Sequence, residues 1–169
     1  MDNILIAVDG SEGGRRAAEV GVDLAARIGA SVVLVCVVRS DDAWVLSQSV
    51  PRSGGAEQDL RETVAEAVDR DVFADMVGLC REQNVPFVTK VLYGSAAKKI
   101  VEEALALDVS LIVIGHRGVG GVGRFFMGST SYKVSHLAPC PVMVVPEKDR
   151  TLFEGKTGEH KIWKNFPEP

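Results

Sequence analysis

LIVIGHRGVGGVGRFFMGST, residues 111–130, joins an apolar β-branched run to a glycine-rich loop and then to a pair of hydroxyl residues. A short run of this kind, followed by glycines and then by helical spacing, is what a buried parallel strand looks like as it turns into the helix behind it. Four similar runs lie elsewhere in the chain: ILIAV at 4–8, SVVLVCVV at 31–38, FVTKVL at 87–92 and PVMVVP at 141–146. Runs this continuously apolar need burial on both faces, which a parallel sheet with helices on each side supplies. The expected fold is therefore a single doubly wound α/β sandwich of five parallel strands.

The segments between the runs fit helices. Ser11 is placed to cap a helix reaching Ile28, with Ala17, Ala18, Val22, Ala25 and Ala26 turned inward and Gly29 as its stop. A second helix is expected from Glu57 to Gln83, where Leu60, Val64, Ala67, Val68 and Val72 recur at helical spacing, and a third from Ala96 to Leu107. The last, Ser129 to His136, is short, is taken to be capped by Ser129, and stops before Pro139-Cys140-Pro141. Two stretches fall outside this rhythm: residues 41–55, a long connection, and the tail 147–169, which either docks or is disordered.

The chain has 169 residues, 46% of them hydrophobic and 25% charged, which suits one soluble globular domain. A net charge of −4 offers no broad basic field for nucleic acid. Without a membrane-length apolar run or a basic leader in MDNILIAVDG, the expectation is a cytoplasmic protein with no membrane partner. Cys36, Cys80 and Cys140 have no metal-site or C-x-x-C spacing and are read as small reduced core residues.

Two phosphate-binding patterns compete for GVGGVGRFFMGST, residues 118–130. The G-x-G-x-x-G of a dinucleotide turn requires an acid about 20 residues on, at the end of the next strand, and none stands near Ala138. A P-loop requires a Lys where this chain has Ser129. A third pattern fits: Gly115-His116-Arg117-Gly118, nine residues, then Gly128-Ser129-Thr130, or G-x-x-G-x9-G-[ST]-[ST].

On that motif, together with ILIAVDGSE at the start, LYG at 92–94 and LAPCPVMVV near the end, the chain resembles the universal stress protein family, in its ATP-binding branch, from Met1 to about Pro146. The resemblance implies a Rossmann-like or flavodoxin-like domain over 1–146, similar to the adenine nucleotide alpha hydrolases, with strand order 3-2-1-4-5 and ATP with Mg²⁺ bound between strands one and four. It places Asp9 near the nucleoside, its carboxylate accepting ribose hydroxyl bonds or helping to hold Mg²⁺, and Val37 where a strand backbone recognises adenine. It places Ile114, Gly115, Gly118, Gly128, Ser129 and Thr130 around ribose and phosphates.

The alternative for Asp9 is a turn or helix cap. The expected physical contributions are close backbone approach at Gly115 and Gly118, phosphate space in front of Gly128, and donors from the helix end and from Ser129, Thr130 and Ser131. Arg117, Arg124 and Lys133 are candidate phosphate partners. His116 and His136 have no paired nucleophile or acid in sequence, so no catalytic residue is assigned. Phe125, Phe126 and Met127 are read as an apolar plug beneath the loop, and the extra glycines Gly120, Gly121 and Gly123 depart from the family pattern. The resemblance further implies a regulatory protein rather than an enzyme, a homodimer formed through the last strand, and an unidentified protein partner. The rival readings are an interaction module that binds no nucleotide, a slow ATPase, and a variant that takes AMP or cyclic AMP in place of ATP.

Overall fold

The computed structural model describes residues 2–39, 57–117 and 127–146. Five strands, β1 (Asn3–Val8), β2 (Ser31–Val38), β3 (Phe87–Tyr93), β4 (Leu111–Gly115) and β5 (Val142–Val145), form one sheet. All neighbours are parallel and the order is β3-β2-β1-β4-β5, as expected from the sequence. The three inner strands are buried along nearly their whole length, whereas β3 and β5, with one neighbour each, are not. This difference is what the apolar continuity of the inner runs encodes.

Helices α1 (Glu12–Ile28), α2 (Glu57–Val68) and α3 (Ala74–Glu82) cover one face, where Ile4, Ile6, Val8, Leu34 and Cys36 meet Val22, Phe73 and Cys80. Helices α4 (Ala96–Ala106) and α5 (Ser129–Leu137) cover the other, where Leu5, Val35, Ile112 and Ile114 meet Ile100 and Val134. The chain moves outward from β1 to β2 to β3 and then crosses to the far side of β1 to form β4. The carboxyl ends of β1 and β4 thus flank the switch point at which open α/β sheets bind ligands.

α1 begins and ends as its sequence indicates. Ser11 Oγ accepts a hydrogen bond from Gly14 N at 3.1 Å, a cap contributing about 1 kcal/mol, and Gly29 closes the helix with a left-handed backbone, φ 71°. Ala17, Ala18, Val22 and Ala25 are buried, but Ala26 is exposed: it lies one residue round from Ala25, past the edge of the inward stripe.

The expected single helix over 57–83 is broken in phase. A π-helical turn at Asp69–Phe73 inserts an extra residue, so burial runs Val64, Val68, Phe73, Met76 and Cys80, and Val72, expected on the inner face, is only half-buried. Phe73, 1% exposed, takes the core position that regular α spacing assigns to Val72.

Candidate functional site

β1 ends at Val8, and the chain then turns through Asp9 and Gly10 into α1. Asp9 Oδ1 accepts from Ser11 N at 3.1 Å and also from Ser11 Oγ, the hydroxyl that caps α1. The capping role weighed for Asp9 is therefore present in the structure. The carboxylate is exposed at the sheet end and is close enough to Cys36 to raise its thiol pKa.

The start of α1 is locked to the exit of β4. A Cβ on Gly115 would stand 2.6 Å from the backbone C and O of Gly13, and one on Gly13 would overlap the carbonyl oxygen of Arg117. A Cβ on Gly14 would lie 2.9 Å from Asp9 Oδ1. Gly115 is thus required by the packing of two protein segments, whereas the sequence reading assigned it to close approach beneath a nucleotide. Gly13 is the other half of that contact, and Gly14 sits as closely against Asp9 at the exit of β1; both were overlooked. Their signal was two adjacent glycines in the first turn of a helix, where they are disfavoured unless space demands them.

Gly128, rather than Ser129, is the N-cap of α5; its backbone is extended (φ −61°, ψ 147°) and makes no side-chain cap bond, while Ser129 is the first helical residue. Gly128 N donates to His116 O at 2.9 Å. A Cβ on Gly128 would meet His116 O at 3.2 Å and Ser131 Oγ at 3.4 Å, so its missing side chain leaves room first for the β4 exit loop. Ser131 departs from its expectation as a ligand donor: it is 2% exposed, and its hydroxyl lies within donating reach of His116 O at 3.0 Å and Gly128 O at 2.9 Å, so it serves the loop.

His116 enters the same knot through its backbone, with N donating to Val145 O at 2.7 Å. His136 stacks on Tyr132 with centroids 4.3 Å apart, and its Nδ1 lies 3.0 Å from Tyr132 O. Neither imidazole is brought to a nucleophile by these contacts.

Val37 is placed by ladder geometry. Val32 N donates to Pro86 O and Gly94 N to Val38 O, so even-numbered residues of β2 bond toward β3; Ser31 N donates to Asp2 O, so odd-numbered ones bond toward β1. The last β1 residue in register is Val8, opposite Cys36. By the same ladder Val37 N falls on Val8 O, the last acceptor of β1, so its carbonyl is the backbone group that faces past the end of that strand. Ile114, 6% exposed, lies in the core under α4 and α5, with only its backbone available to a ligand.

On the α4–α5 side of the sheet end lies an open cleft of about 410 Å³. Arg39, Gly94, Ser95, Ser129, Thr130 and Lys133 contribute to its walls. Of the residues selected from sequence, Ser129, Thr130 and Lys133 face this space; Asp9, Val37, Ile114, Gly115 and Gly128 occupy the same end of the sheet without lining it. Arg39, Gly94 and Ser95 were not anticipated, because they belong to the ends of β2 and β3 and meet α5 only through the fold. Gly118, Arg124, Phe125, Phe126 and the extra glycines lie outside the described residues, as do 41–55 and 147–169.

Burial raises the Cys36 thiol pKa to about 11, and it raises those of Cys80 and Cys140 as well. The thiols are therefore protonated at neutral pH and chemically quiet. Cys36 and Cys80 are core residues as expected, while Cys140 is only half-buried.

The model of the universal stress protein family matches residues 1–146. The chain belongs to the universal stress protein family. A relative from Thermus aquaticus, a universal stress protein encoded in the QAH/OAS sulfhydrylase 3′ region, is 35% identical over 147 residues, covering 84% of this chain and 96% of that one. Universal stress protein UspA from Lactobacillus plantarum superposes with a TM-score of 0.64 at 27% identity, covering 85% of this chain and 97% of that one. Two further members share the fold. One, from Arabidopsis thaliana, was solved with AMP bound (17% identity, TM-score 0.58, 90% of this chain and 96% of that one). The other was solved in complex with cAMP (16%, 0.60, 86% and 96%). Among the described residues, no helix of this universal stress protein is long and apolar enough to cross a membrane.

Proposed function

We propose that this universal stress protein binds ATP with Mg²⁺ at the switch point between β1 and β4 and acts as a regulator whose occupancy alters its conformation or its affinity for a protein partner. The observation that carries the reading is the cleft walled by Ser129 and Thr130 at the amino end of α5, which also receives the loop leaving β4. α5 has no acid in its first turn and no side-chain cap, so its N-H groups and positive end suit a phosphate. The backbone of Val37 faces the end of β1, which suits contact with an adenine edge, and Asp9 stands at the same end of the sheet, in the turn between β1 and α1, for ribose hydroxyls. Adenine nucleotides bound by two relatives of the same fold support the ligand class.

A helix end contributes about 0.3–1 kcal/mol, while micromolar affinity needs about 8 kcal/mol, so base burial and several hydrogen bonds must act together. Among the described residues, no three His, Cys, Asp or Glu side chains gather as a cation site. Mg²⁺ would then be held chiefly by phosphate oxygens, with Asp9 as a single carboxylate partner, an arrangement common for this ion.

Calorimetric titration of nucleotide-stripped protein tests the reading. Saturable Mg-ATP binding that NAD does not displace is expected, and Asp9→Asn, which retains an acceptor for Ser11, should weaken it roughly tenfold, about 1.4 kcal/mol. Folded protein that binds no adenine nucleotide would leave the interaction-module reading in its place.

The outer edge of β5, paired on its other side with β4 and carrying the 36%-exposed Met143, is the surface proposed for a homodimer. Sedimentation velocity should give a dimer at micromolar concentration, and Met143→Lys should shift it to monomer. A monomer from the unaltered protein overturns the dimer.

A further inference from the structure

We infer that the π turn at Asp69–Phe73 is the joint through which the proposed site acts on the rest of the protein: it seats Val72 against the Asp9–Gly10 turn, so that occupancy of the site governs the order of α2. This deepens the nucleotide reading above and rests on it. The contact is direct. A Cβ on Gly10 would lie 3.5 Å from Val72 Cγ2, so the valine methyl packs on the backbone of the turn that carries Asp9. Gly10 holds that turn in a left-handed conformation, φ 77°, and Asp9 Oδ1 accepts across it from Ser11 N.

A regular α-helix would not make this contact. Continued α spacing from Val64 and Val68 directs Val72 into the core, where Phe73 stands instead, and the extra residue of the π turn is what brings Val72 out to Gly10. The turn also marks where the helix leaves its support. α2, the π turn and α3 have 12, 5 and 9 residues, roughly 40 Å of helix at about 1.5 Å per residue, whereas the eight residues of β2, the longest strand, span about 26 Å. α3 ends where the chain turns into β3, at the amino end of the sheet; it packs on α1 and is buried through Met76 and Cys80. Val72 meets Gly10 at the carboxyl end of β1, so α2, which precedes it, runs on beside the site. There it is held by Val64 and Val68, both in the core, and by the hydrogen bond that Tyr93 Oη donates to Arg61 O at 3.0 Å.

A ligand that engages the Asp9 carboxylate fixes the turn, the fixed turn holds Val72, and Val72 holds the π turn and the helix before it. Occupancy and the order of α2 are then linked. The linkage is reciprocal: the factor by which the ligand favours the ordered helix is the factor by which the ordered helix favours the ligand.

Hydrogen exchange of the full chain, followed by mass spectrometry with and without saturating Mg-ATP, tests the joint in the unaltered protein, Val72→Ala and Tyr93→Phe. In the unaltered protein Mg-ATP should slow exchange across residues 61–68 by about fivefold or more. Val72→Ala, still folded, should lose that difference and bind ATP about fivefold more weakly by calorimetry, as reciprocity requires. Tyr93→Phe loosens α2 without altering the contact at Gly10; it should speed exchange across 61–68 in both states and keep the ATP-dependent difference, which separates loss of coupling from loss of packing. Protection by ATP that persists in Val72→Ala, or ATP binding that leaves residues 61–68 unchanged in the unaltered protein, overturns the joint and leaves the nucleotide reading intact. Failure of folded, unaltered protein to bind Mg-ATP overturns both.

Discussion

Gly115→Val is expected to destabilise the protein by about 3 kcal/mol, near the top of the usual range for forcing volume into a close-packed contact. The reason is the position of the added atoms. A Cβ on Gly115 lies 2.6 Å from the backbone C and O of Gly13, and backbone at the start of α1 cannot rotate away as a side chain would. Relief requires α1 to move off β4, yet α1 is buried over the sheet through Ala17, Ala18 and Val22, all 0% exposed. For a domain of this size the cost corresponds to a fall of about 6–12 °C in Tm, read by thermal denaturation followed by circular dichroism. Ligand affinity should fall too, because the same displacement moves Asp9 and the exit of β4. A variant with unchanged Tm would mean that this junction yields freely and that Gly115 is needed for the ligand alone.

The contrast between Gly115 and Val37 indicates what sequence can convey. Five strands and the α1 boundaries were legible because they depend on local signals, β-branched runs bounded by glycine and proline, a serine cap and a left-handed glycine stop, whereas the strand order came from the family resemblance. Val72 was misplaced because a π turn shifts helical phase by one residue without any composition signal in DRDVF. Gly115 was selected for close approach beneath a nucleotide, and the structure shows a protein contact that needs it in its own right. A spacing motif identifies which glycines matter, but whether a glycine makes room for a ligand or for Gly13 depends on a contact about a hundred residues away in sequence. Ser131 illustrates the same limit: three consecutive hydroxyls look equivalent, yet a helix turns each by about 100°, which sends Ser131 into the protein while Ser129 and Thr130 face the cleft.

Arg39, Gly94 and Ser95 were beyond reach of the motif for a related reason. The motif lies in one β-α connection, whereas the cleft takes its opposite wall from the ends of β2 and β3, and only the sheet order brings them within range. Sites at a switch point are composite in this way, so a motif from one loop describes half of a wall.

That composite view fixes the second large effect, on binding alone. The double variant Ser129→Ala/Thr130→Val removes two hydroxyls from the cleft and alters no cap, since Gly128 is the N-cap and Ser131 retains its bonds to His116 O and Gly128 O. Each hydrogen bond to a charged phosphate contributes about 1.5–3 kcal/mol, so the pair should cost at least 3 kcal/mol, a loss of more than 100-fold in ATP affinity by calorimetry. Thr130→Val preserves the side-chain shape, and Ser129 is exposed, so Tm should stay within about 2 °C of the unaltered protein. Gly128→Val would be a poorer probe, because its Cβ presses on His116 O and lowers stability and affinity together. Retained ATP affinity in the folded double variant would remove the amino end of α5 from the binding site, and the phosphates would then have to be held by the loop between β4 and α5 and by the walls around Arg39 and Ser95.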